Sequence, residues 1–208
     1  MYIIGITGPT GAGKTSALQA LKTLGALTLD CDEIYHQMLI SNTEMTADIE
    51  ARFKDALTDG KVDRYKLGNL VWDDPTALHD LNVITHGYIS NEVDRQIAVF
   101  KAQGGLVTAI DAIALVESGQ SERCNTIVGI TAPLKDRVFR IMKRDGLTGE
   151  HALIRVHAQP PDSYYREHCD HILENTFDTQ AEFIKECTEF FKKLLNTQAD
   201  TQENTPKI

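Results

Sequence analysis

The chain has 208 residues, 42% of them hydrophobic and 25% charged, and a formal net charge of −9. That length allows one large domain, or one core with an inserted subdomain, and supplies apolar residues enough for a sizeable core. The acidic balance excludes a general nucleic-acid surface, because a phosphate backbone demands basic stripes; any polyanionic ligand has to meet a local positive patch.

The four cysteines, Cys31, Cys124, Cys169 and Cys187, are scattered without a C-x-x-C pair. This spacing points to a reducing compartment, with neither a zinc site nor a disulfide framework. The apolar run at residues 2–6 has no basic segment ahead of it and is broken by glycine, so it reads as a buried strand rather than a signal peptide. No stretch approaches the ~20 apolar residues of a membrane span. A cytoplasmic location and the absence of membrane and nucleic-acid partners are the expectations.

Strand one is predicted over residues 2–7, followed by Gly8-Pro9-Thr10-Gly11-Ala12-Gly13-Lys14-Thr15, which fits G-x-x-x-x-G-K-[ST] without a mismatch. The chemistry needs each part. Glycines let backbone N–H groups curl around phosphate oxygens, the lysine bridges the β- and γ-phosphates, and the hydroxyl holds Mg²⁺. A helix beginning near Gly13 aims its positive end at the same anion. Leu18, Leu21 and Leu24 give that helix its apolar spacing, and Gly25 sits where a stop belongs.

Residues 26–29 read as strand two, ending in Asp30-Cys31-Asp32 and followed by a helix. Groups just past the carboxyl ends of strands in an open parallel sheet face the ligand crevice. Asp30 and Asp32 are therefore candidates for a proton acceptor and a partner to Mg²⁺ or its waters, with helix capping as the alternative, held evenly for Asp30 and with function favoured for Asp32. Residues 41–101 interrupt the strand rhythm. Ile49, Phe53 and Leu57 recur every four residues, then Leu67, Leu70 and Val71, then Leu78, Leu81, Ile84, Ile89, Val93 and Ile97. With turns at Asp59-Gly60 and Asp74-Pro75, this predicts an inserted helical subdomain covering a second substrate. His86 lies within it, and its helical position alone favours a structural role.

Residues 106–111 predict strand three, ending in Asp111, a possible metal-side carboxylate. Residues 126–130 predict strand four, and Pro133 opens a helix bearing Arg137, Arg140, Lys143 and Arg144. This is the local positive patch. Arginines there can stabilise charge on a transferring phosphoryl group, the alternative being a solvated basic face, with more weight on that alternative for Arg137 and Lys143 taken singly. Residues 145–161 predict a lid that excludes water. Residues 171–175 are strand five, a terminal helix carries Phe183 to Leu195, and residues 196–208 are polar and expected to be disordered.

Taken together, the phosphate loop, the Asp-x-Asp at strand two, the His86 region, Glu117-Ser118-Gly119 and the arginine-bearing helix resemble those of the dephospho-coenzyme A kinases, over roughly residues 2–195. The resemblance implies an α/β fold: a parallel sheet of about five strands with flanking helices, the P-loop NTPase core (residues 1–32, 102–144 and 169–195), a helical substrate subdomain (33–101) and a lid (145–168). It implies ATP-dependent phosphorylation of the ribose 3′-hydroxyl of dephospho-coenzyme A, with Mg²⁺. By position it puts Gly8, Gly11, Ala12, Gly13, Lys14, Thr15, Ser16 and Asn175 on ATP, with Thr15 on the metal. Asp32 becomes the proposed base, Arg140 and Arg144 the charge-neutralising arginines, and Asp32, His86, Leu115 and Glu117 the substrate contacts. His86 gains weight because it matches the histidine of the family's His-Pro-Leu-Ile.

The chain departs from the family pattern at Pro9, Cys31, Gly87, Ile113, Tyr165 and Phe177. Tyr165 stands where the family commonly has lysine. None of these removes a phosphate-handling group, and several touch the coenzyme A side. The alternatives are a kinase for another small hydroxylated or nucleotide acceptor, a nucleotide-binding paralogue without catalysis, and a GTPase-like switch. The last lacks an Asn-Lys-x-Asp for guanine.

Overall fold

The computed structural model describes the backbone of residues 1–203 and the side chains of residues 1–198. Seven strands and nine α-helices follow one another through them: β1 (Tyr2–Thr7), α1 (Lys14–Thr23), β2 (Leu27–Asp30), α2 (Cys31–Ser41), α3 (Thr43–Arg52), β3 (Leu57–Thr58), β4 (Lys61–Val62), α4 (Arg64–Trp72), α5 (Pro75–Ala102), β5 (Val107–Asp111), β6 (Thr126–Thr131), α6 (Leu134–Asp145), α7 (Gly149–His157), α8 (Asp162–His168), β7 (His171–Glu174) and α9 (Gln180–Glu203).

The main sheet runs β2-β5-β1-β6-β7, and β1 pairs in parallel with both β5 and β6. A central parallel strand is covered on both faces, which is why Ile4, Gly5, Ile6 and Thr7 are all buried and why its sequence is a largely apolar run. One layer over it joins Ala17, Ala20 and Leu21 of α1 to Phe183, Cys187 and Phe191 of α9. Each fully buried large side chain of this kind contributes roughly 1.5–3 kcal/mol. Burial also pushes the Cys187 thiol up to about 12, so it behaves as a small hydrophobe. Among the described residues no helix is long and apolar enough to cross a membrane.

The chain divides into two compact units, residues 1–28 with 104–208, and residues 29–103. The boundary falls inside β2 and just after α5. Within this second unit Met45, Ile49, Phe53, Leu67 and Val93 are buried. Leu70 and Leu78 are not: they stay 39% and 45% exposed, because a unit of this size has too little interior for every apolar position. The unit also holds a feature the periodicity concealed. Asp59-Gly60 joins two paired strands, β3 and β4, with both turn residues at positive φ, the twist that a two-residue hairpin requires.

The polar tail expected from residue 196 is a correction in part. Its first residues continue α9 to Glu203, since Asn196, Gln198 and their neighbours carry no breaker, and Thr197 Oγ1 donates to the Lys193 carbonyl. Residues 204–208 lie outside the described residues.

The start of α2 answers the question of Asp30. Its carboxylate oxygen Oδ1 accepts from the backbone N–H groups of Asp32 (2.9 Å) and Glu33 (3.0 Å), the geometry of an N-cap. Asp30 is therefore engaged with the helix, while Asp32, two residues on, is exposed. Asp30→Ala is expected to lower stability by about 1 kcal/mol in urea titration, with Asp30→Asn close to wild type.

Candidate active site

The phosphate loop occupies residues 8–13, between β1 and α1. Two of its glycines are required by what lies against them. A Cβ on Gly8 (φ +142°) would lie 2.1 Å from the Ile130 carbonyl oxygen of β6, and one on Gly13 (φ +113°) would lie 2.5 Å from Asn175 Nδ2. No side chain fits either place.

The loop's carbonyl oxygens are turned toward cations and amides around it. Arg137 Nε donates to Thr10 O (3.1 Å), Arg140 Nη1 to Gly11 O (3.2 Å) and Ala12 O (3.4 Å), and Asn175 Nδ2 to Ala12 O (2.9 Å). With carbonyls held outward, no partner is found among the described residues for the N–H groups of Gly11, Gly13 and Thr15. That is the arrangement of an anion cradle: inward donors at the start of a helix. Lys14 Nζ donates to Gly8 O at 2.7 Å, so its ammonium arches back over the loop. Thr15 is exposed on the first turn of α1, whereas Ser16 is buried and its N–H donates to Gly13 O (2.9 Å).

The arginine helix α6 presents Arg137, Arg140 and Arg144 at i, i+3 and i+7, one face. Arg137 departs from the alternative of a solvated residue. It is 5% exposed, and burial pulls its pKa down while Asp162, 3.4 Å from Nη1, opposes that shift. Arg144 reaches Thr10 Oγ1 (3.4 Å) but is held by Asp145 through Nε (2.7 Å) and Nη2 (2.9 Å). This hydrogen bond holds the Asp145 carboxyl below the usual range, and Arg155 adds to it. Lys143 is exposed, as expected.

The segment expected to form a lid is two helices, α7 and α8. Ala152 and Val156 pack on Ile141 of α6 in a small cluster of their own. Between the helices, Gln159 Oε1 accepts from the Thr10 N–H at 2.7 Å, a tie between this segment and the loop that the sequence reading missed. Tyr164 was also missed: its hydroxyl donates to Glu117 Oε1 at 2.5 Å, and burial with that hydrogen bond drives its pKa upward. Tyr165, in place of lysine, is 1% exposed, its phenol pushed up to about 12 by burial. Phe177 packs against Phe183, 5.9 Å between ring centroids, so the departure from glycine there adds to the core.

Leu115 requires a correction. It is fully buried, and its Cδ2 lies 2.7 Å from where a Cβ on Gly5 would stand, so its side chain belongs to the core and not to a ligand surface. Asp111 ends β5 opposite Ile6, at the same carboxyl edge from which the loop leaves β1. Asp32 and His86 belong to the helical unit, on α2 and in the middle of α5. His86 is half-buried, and burial lowers its pKa, which keeps the imidazole neutral near pH 7. Gly87 beside it leaves α5 unbroken through its 28 residues.

A family model described as dephospho-CoA kinase matches residues 2–181. A dephospho-CoA kinase of Dehalococcoides mccartyi is 32% identical over 194 residues, covering 93% of this chain and 97% of the relative. One from Latilactobacillus sakei subsp. sakei is 32% identical over 175 residues, covering 84% of this chain and 87% of the relative. A crystal structure from Thermus thermophilus superposes with a TM-score of 0.77 at 28% identity, covering 99% of this chain and 98% of that one.

Because Gly13 is pinned against Asn175, Gly13→Ala is expected to cost about 1–3 kcal/mol through its left-handed backbone. It should also weaken MgATP binding at least about tenfold by displacing loop amides, a factor of ten being 1.4 kcal/mol. Urea titration and calorimetric ATP titration read the two effects separately.

Proposed function

The chain belongs to the dephospho-CoA kinase family, and from that premise we propose how its residues carry out ATP-dependent phosphorylation of the ribose 3′-hydroxyl of dephospho-coenzyme A, with coenzyme A and ADP as products. The observation that carries the reading is the loop whose carbonyls are held outward by Arg137, Arg140 and Asn175. An NTP's β- and γ-phosphates fit such a cradle, with the first-turn amides of α1 on their oxygens.

Lys14 moves from Gly8 O onto the β- and γ-phosphate oxygens, a short swing for a flexible stem carrying a compact charge. Arg140 uses only Nη1 on the loop, and its remaining N–H groups serve charge developing on the phosphoryl oxygens. Arg144, steadied by Asp145, serves the same charge from one turn further along α6. Asn175 belongs to the ATP site as the brace of Ala12 O.

The exposed hydroxyl of Thr15 fits Mg²⁺, with Asp111 at the adjoining strand end for the ion or its waters; Mg²⁺ needs only one or two such groups beside substrate phosphates and water. Held by these residues, the ion would supply neutralisation of phosphate charge. Asp32 accepts or orients the proton of the acceptor hydroxyl, and Asp30 is left to cap the helix that carries it. His86 and Glu117 remain proposed contacts of the acceptor, the latter set by Tyr164. All four cysteines are free thiols, in keeping with a cytoplasmic setting.

Coupled ADP release with dephospho-coenzyme A as acceptor tests the reaction. Asp32→Asn is expected to lower kcat by about 10²–10⁴ while the affinity for MgATP stays within about twofold. Unchanged turnover removes Asp32 as the base. ADP release at the same rate without acceptor removes the kinase reading.

A further inference from the structure

We propose that Arg64, held in place by His36, binds the 5′-diphosphate of the acceptor. This rests on the reading that Asp32 addresses the acceptor's 3′-hydroxyl.

Asp32 and His36 lie four residues apart on α2, so they are neighbours on one face with about 5–6 Å between their Cβ atoms. On that face, Arg64 Nη2 lies 2.6 Å from His36 Nε2. A guanidinium has no acceptor, so the imidazole presents an unprotonated nitrogen and Arg64 donates to it. Arg64 opens α4, is exposed, and among the described residues has no carboxylate within ion-pair distance. The acidic residue next to it in sequence, Asp63, is occupied: its Oδ1 accepts from the Tyr65 and Lys66 N–H groups, and its Oδ2 from the Thr58 hydroxyl.

The acceptor has matching chemistry. Its 3′-hydroxyl and 5′-phosphates stand on the same ribose, only a few covalent bonds apart, so a hydroxyl at Asp32 puts the diphosphate within about one helical turn of it. The next turn on that face is His36 with its arginine. The guanidinium is a planar fork suited to two phosphate oxygens, and a partner that fixes its stem reduces the entropy lost on binding. The opposite face of α2 suits a diphosphate poorly. Through Ile34, Met38 and Ser41 it lines a cavity of about 360 Å³ whose charged side chains are Glu44 and Glu92.

Steady-state kinetics of the full chain at saturating MgATP test the assignment. Arg64→Ala is expected to raise the KM for dephospho-coenzyme A about 10- to 100-fold, the loss of a charge-assisted hydrogen bond, with the KM for ATP unmoved. Arg64→Lys should recover part of the loss, and His36→Ala should raise the same KM by a smaller factor. The increase of that KM with added salt should flatten in Arg64→Ala, because the screened charge is gone. An unchanged KM for dephospho-coenzyme A overturns the proposal, as does a fall in kcat alone accompanied by a lower urea midpoint, which marks Arg64 as structural. If the wild-type chain transfers no phosphate to dephospho-coenzyme A, the acceptor reading itself falls, and this assignment with it.

Discussion

The orientation of a few peptide groups between β1 and α1 is the constraint on which the rest of the nucleotide chemistry depends. A peptide carries a donor and an acceptor at opposite ends, and turning the Thr10 and Ala12 carbonyls outward toward Arg137, Arg140 and Asn175 leaves the Gly11 and Gly13 N–H groups for an anion. The braces come from far along the chain, from α6 and from the residue after β7. The loop is therefore shaped by elements laid down more than a hundred residues later. Gly8 and Gly13 make this possible by letting backbone and amide approach where a methyl group would collide.

That bracing also explains how an acidic protein serves a polyanion. The positive charge is not spread over the surface but gathered on one face of α6, and its arginines divide the work. Arg137 is buried against the loop, and its desolvation is offset in part where Nε meets the Thr10 carbonyl and Nη1 meets Asp162. Arg140 stays half-exposed, and Arg144 is exposed but tethered to Asp145. A gradient from structural to available cation thus runs along one helix. The two helices after α6 join the same framework, since Gln159 takes a loop N–H and Asp162 pairs with Arg137.

In the helical unit the same economy of polar groups separates two aspartates that look equivalent on paper. Asp30 has its carboxylate on the first amides of α2, where the helix end attracts negative charge. Asp32, inside the helix, is exposed. One turn on, His36 and Arg64 give that face a cation, whereas the only charged side chains lining the cavity on the other side of the helix are Glu44 and Glu92.

The sequence by itself determined the phosphate loop, the parallel core strands, the helical insertion and the arginine helix, because each is written in local spacing: glycines at fixed offsets, β-branched runs, apolar residues at helical period. It left open whatever depends on contacts across long separations. The hairpin at Asp59-Gly60 was legible as a turn but not as strand pairing, Leu115 read as a ligand contact until packing against Gly5 put it in the core, and Arg137 was indistinguishable from its solvated neighbours. Only the tertiary structure decided these, since a residue's burial and hydrogen-bond partners are set by segments that sequence spacing does not bring together.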